Sequence, residues 1–196
     1  DNLVMEVDVF DTATNSWSQG PPLPAANARI DLAAFASTDG AIHVLGGYDP
    51  QGNYDSSAAH ASWSPGVSFS WSAASPMDLH RGDFCAVAGS GANAGYVFGG
   101  FSSSDWSQAA DDLEVLSAST GSFTALGGTN AQYRGDAGCA GIDGGSKLLV
   151  FGGELKDSAG ERVILSTAEM YDAVADHWHA LAPLPQERFR FSAAAA

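Results

Sequence analysis

Lysine is almost missing from this chain. Two Lys and six Arg stand against 17 Asp and six Glu, a formal charge of −15 over 196 residues. So acidic a surface repels polyanions, which argues against nucleic acid or an anionic membrane as a partner. No apolar run approaches the roughly 20 residues needed to cross a bilayer, so the sequence predicts a soluble chain without direct membrane insertion, in a cytoplasmic, lumenal or extracellular setting. Cysteine is scarce too: Cys85 and Cys139, 54 residues apart, read as two reduced, buried thiols. The chain lacks an Asn-x-Ser/Thr glycan acceptor. Amphipathic helical periodicity is absent. So are a Ser/His/Asp motif and a phosphate-cradling glycine loop joined to a helix, so no catalytic residue, cofactor or metal is assigned.

What the chain has is strand and turn, repeated. Short runs rich in Val, Ile, Phe and Tyr end in paired glycines: IHVLGG at Gly46-Gly47, GYVFGG at Gly99-Gly100 and LLVFGG at Gly152-Gly153, at intervals of 53 residues. After each pair and a polar loop comes a second pattern in which two large side chains flank a tight turn. Phe10 and Trp17, Leu116 and Phe123, and Tyr171 and Trp178 are each seven apart, and Trp63 and Trp71 are eight apart. This spacing predicts an antiparallel hairpin with the large residues facing one another. A proline-bearing connection then leads into a small-residue apolar strand: DLAAFAS, DFCAVAG, DAGCAGI and FRFSAAAA. Strands dominated by Ala, Gly and Cys suit a place where strands converge.

Four strands per period of about 53 residues, with this glycine doublet, make the chain resemble the kelch repeat, over nearly its whole length. The resemblance implies an all-β, kelch-type β-propeller of four-stranded antiparallel blades. Residues 1–21 would supply two strands of one blade, 22–75, 76–126 and 127–182 three whole blades, and 183–196 the first strand of another. The remaining blades are then expected on further parts of the same chain. The glycines fit a strand that turns sharply where neighbouring side chains close over it.

Long loops fall on one face: YDPQGNYDSSAAHA, FSSSDWSQAADDL and ELKDSAGERVILST. That face is the candidate binding surface. At its mouth Arg29, Arg81, Arg134 and Arg188 recur before each small-residue strand. Such a guanidinium ring would either grip acidic groups of a protein partner, a use the kelch resemblance allows, or brace the blades through neighbouring carboxylates. Trp106, mid-loop, is the aromatic that the strand pattern does not require, and it either caps its loop or anchors a partner. Three lesser features read as structural. They are the two Arg-Gly-Asp triplets, the oxygen-rich stretch Asp49 to Asp55, and His177 and His179 flanking Trp178. The functional expectation is a protein-interaction or scaffold module, possibly one subunit of a larger assembly. The alternative is part of a kelch-type enzyme such as a copper radical oxidase or a sugar-processing enzyme, although the copper-binding His and Tyr set of such an oxidase is not found.

Overall fold

A computed structural model describes residues 3–25, 28–49, 51, 60–63 (backbone only), 70–103, 105–110, 112–126 and 132–195. These residues form an all-β structure. A hairpin of β1 (Asp8–Asp11) and β2 (Ser16–Gln19) comes first. The first four-stranded sheet contains β3 (Ala33–Ala36), β4 (Ile42–Leu45), β5 (His60–Trp63) and β6 (Ser72–Ala73). The second contains β7 (Cys85–Ala88), β8 (Asn93–Phe98), β9 (Leu113–Ser117) and β10 (Phe123–Leu126). In the third, β11 (Gly138–Ile142), β12 (Lys147–Phe151), β15 (Ala168–Asp172) and β16 (His177–Leu181) are joined by a separate hairpin of β13 (Glu154–Lys156) and β14 (Arg162–Ile164). Within each sheet, strands pair antiparallel in chain order.

Register follows the spacing of the large side chains. Phe10 lies opposite Trp17, Leu116 opposite Phe123 and Tyr171 opposite Trp178. The intervening turns close through a residue in the left-handed region, Asn15, Gly121 or Asp176. Asp11 and Asp172 each accept two backbone N–H groups at the start of their turns, the Asx arrangement that these residue types favour.

The sheets bury their faces against one another, and their first strands run side by side, β3 against β7 and β7 against β11. Phe35 and Leu45 of the first sheet pack with Val97, Leu116 and Phe123 of the second. Tyr96, Phe98 and Leu113 of the second pack with Leu148, Val150 and Trp178 of the third. Each such side chain contributes about 1.5–3 kcal/mol by leaving water.

The glycine pairs form the joints between these sheets. The N–H groups of Gly47, Gly100 and Gly153 donate to the carbonyls of Arg81, Arg134 and Arg188, one repeat onward, at 2.8, 2.9 and 2.8 Å. A Cβ on Gly99 would lie 2.4 Å from the Arg134 carbonyl oxygen, and one on Gly100 would lie 2.5 Å from that of Gly82. Both glycines have positive φ, 72° and 89°, so the doublet is demanded by conformation and by lack of space.

Two expectations are corrected. FRFSAAAA forms no strand through Ala195, because each small-residue strand draws its ladder from the strand that follows it, and none pairs here among the described residues. The stretch ELKDSAGERVILST is no open loop: it folds into β13–β14, with Leu155 opposite Val163 and a turn at Gly160.

Candidate functional site

The arginine series divides. Arg81 is fully enclosed, at 0% exposure. Its guanidinium donates to the Gly99 carbonyl at 2.9 Å, to both Asp112 oxygens at 2.9 Å, and to Glu114. Arg134 repeats this arrangement one sheet later, donating to the Gly152 carbonyl at 2.8 Å, to the Thr167 carbonyl and to Glu169. Glu114 in turn accepts the N–H groups of Asp78 and Leu79, while Glu169 accepts that of Gln132. Burial pushes the Glu114 carboxyl up even with Arg81 beside it. Both guanidinium groups thus have the setting of the bracing use. Arg29 is half-buried and donates to the adjacent Ala28 carbonyl at 3.1 Å, whereas Arg188 is exposed, with its guanidinium 5.9 Å from the Phe191 ring centre.

The residues that follow these arginines gather acidic groups. In the Arg-x-Asp steps, Asp31, Asp83 and Asp136 all take positive φ, between 53° and 57°, and Arg190 takes the fourth equivalent position at 52°. The Asp83 N–H donates to the Asp31 carbonyl, that of Asp136 to Asp83 and that of Arg190 to Asp136, a relay of 3.2, 2.8 and 2.9 Å. Their side chains line a cavity of about 550 Å³ with Tyr48, whose hydroxyl donates to Asp31. Arg190 closes on Asp136 at 3.0 Å. Burial, then the charges of Asp136 and Asp31, raise the Asp83 carboxyl to about 8. The expected focus of positive charge is therefore a focus of carboxyl groups, because the guanidinium groups of Arg81 and Arg134 turn inward to strand-end carbonyls. The Arg-Gly-Asp triplet at Arg81 is part of this buried joint and does not project.

A second cavity, of about 300 Å³, lies where the connection around Phe101 and Trp106 meets the β13–β14 hairpin. Phe101, Leu155 and Trp106 line it together with Glu154, Lys156, Arg162 and Arg190, so three of the chain's eight basic side chains meet here around one carboxylate. Trp106 is 45% exposed and held at φ 56° by a turn, its N–H donating to the Ser103 carbonyl at 3.0 Å. Beside it Asp105 accepts the Ser107 hydroxyl at 2.6 Å, the largest cause holding its carboxyl down to about 2. Lys156 reaches across to the Asp105 carbonyl, linking the two repeats. Arg162 pairs with Glu154 and lays its guanidinium 4.0 Å over the Phe189 ring. Trp106 was visible in the sequence, but Lys156, Arg162 and Phe189 were not. Only the five-residue DSAGE spacing between β13 and β14 hints that their loop folds back.

Of the remaining candidates, His177 and His179 are exposed, with ring centres 4.9 Å apart and edge to face. Among the described residues no group of three or more potential metal ligands occurs. The Asp49 to Asp55 stretch lies mostly outside the described residues. No protein-family model matches the chain, and no curated protein matches its sequence.

Proposed function

We propose that the chain is part of a kelch-type β-propeller that serves as a protein-interaction or scaffold module, docking a partner through its loop-rich face, with further blades elsewhere on the same chain. The joints between sheets, repeated three times with the same atoms, support the radial arrangement. The observation that carries the binding reading is the Trp106 cavity. A half-exposed tryptophan shares a cavity with apolar Phe101 and Leu155 and with three cations, one of them paired to Glu154, a mix of aromatic and Arg side chains that suits an interface anchor. Arg81 and Arg134 preserve the scaffold, while Trp106, Arg162 and Arg190 meet the partner. A phage-displayed peptide library panned on the full chain tests this. Enriched peptides should lose binding to Trp106→Ala and keep it for Trp17→Ala. Failure to enrich, or binding indifferent to Trp106, overturns it.

A further inference from the structure

The glycine doublets and the pair Arg81 and Arg134 keep a step of 53, but Cys85 and Cys139 are 54 apart. One extra residue turns a strand side chain to the opposite face. The position in β11 equivalent to Cys85 is Gly138, and a Cβ there would point away from the second sheet, 2.5 Å from the Phe191 ring. Cys139, its neighbour, faces back toward the second sheet. Cys85 faces forward to the third: it is buried, and its sulfur donates to the Ala137 carbonyl at 3.7 Å. Cys85 belongs to the apolar cluster between these sheets, with Ala137 and Cys139 packed against it. The two thiols therefore face each other across the seam where β7 and β11 run side by side, and both are free.

We propose that Cys85 and Cys139 form a reversible disulfide that staples the first strands of the second and third sheets, made by exchange with a low-molecular-weight disulfide. Cys139 is partly exposed and is the entry point. Its thiolate attacks one sulfur of the reagent, giving a mixed disulfide and releasing one thiol. Cys85 then gives up its proton and attacks the Cys139 sulfur, expelling the second thiol. Two protein thiols are oxidised to one disulfide, and the reagent is reduced to two thiols. Burial holds the Cys85 thiol well above its ordinary range, which keeps it from reacting first, while the nearby Arg134 charge acts the other way and favours the thiolate that the second attack needs. This inference does not depend on the docking reading.

The full chain, incubated with oxidised glutathione and read by intact mass, provides the test. The expected product is a monomer lighter by two hydrogen atoms, with a higher Tm that dithiothreitol reverses. Cys85→Ser should stop at a glutathione adduct on Cys139, and Cys139→Ser should remain unmodified. Cys85→Ala serves in place of Cys85→Ser if the serine variant does not fold. A persistent glutathione adduct on the unsubstituted chain, a disulfide-linked dimer, or two thiols still open to alkylation after unfolding overturns the proposal.

Discussion

The hairpins β1–β2 and β15–β16 are built alike and end differently. Both pair their large residues in the same register, close through a left-handed Asn15 or Asp176, and begin the turn with an Asx arrangement at Asp11 or Asp172. Yet Trp17 is 70% exposed and Trp178 only 7%. Trp178 packs against Tyr171 and also against Phe98 of the preceding sheet, at 4.9 Å between ring centres, and β15 is paired with β12. Trp17 leans on Phe10, at 5.0 Å, within a sheet of two strands. Hairpin geometry is thus written locally, in turn residues and cross-strand pairs, whereas burial is lent by neighbouring strands.

The sharpest way to break this comparison is to truncate both tryptophans. Trp178→Ala should cost about 3–5 kcal/mol in denaturant unfolding, the range for a buried large aromatic, and Trp17→Ala about 0.5 kcal/mol or less. Equal losses would mean that the exposed copy is covered after all. The next effect in size contrasts the arginines. Arg81→Ala leaves Glu114 buried and unpaired, at a cost of about 3 kcal/mol, part of which Glu114→Gln should recover in the double variant. Arg29→Ala should cost less, since Arg29 is only half-buried where Arg81 is fully enclosed.

Stability should also depend on pH. The Asp83 carboxyl stands at about 8 in the fold against an ordinary 3.8, so between those values the native state keeps a proton that the unfolded chain has lost. Stability should therefore fall as pH rises through that window and level off above it, and Asp83→Asn should flatten the slope in a Tm series. The smallest change in stability is expected for Trp106→Ala, within about 0.5 kcal/mol, even though peptide capture is lost.

Much of this architecture was legible in the residues. Gly46, Gly99 and Gly152 gave the period, and pairs such as Tyr171 and Trp178 gave the hairpin register, because both are local requirements of backbone and turn. The buried destination of Arg81 was not legible. Its acceptors, the Gly99 carbonyl and Glu114, lie 18 and 33 residues away and meet it only through the ladder. The β13–β14 hairpin is not legible in the residues because its strands are only three residues long. The facing of Cys85 and Cys139 needed the period to be counted to a single residue, as side-chain direction alternates along a strand.

The link from Gly47 to Arg81, Gly100 to Arg134 and Gly153 to Arg188 is made of amide and carbonyl groups, which every such residue carries whatever its side chain. Copies of the unit can share this hydrogen-bonded link whatever their other side chains, provided the glycines come with them, although the packed faces on either side must still match. Within each border, then, one part is indifferent to side chains and can recur unchanged from unit to unit, while the loops outside it are not held by it.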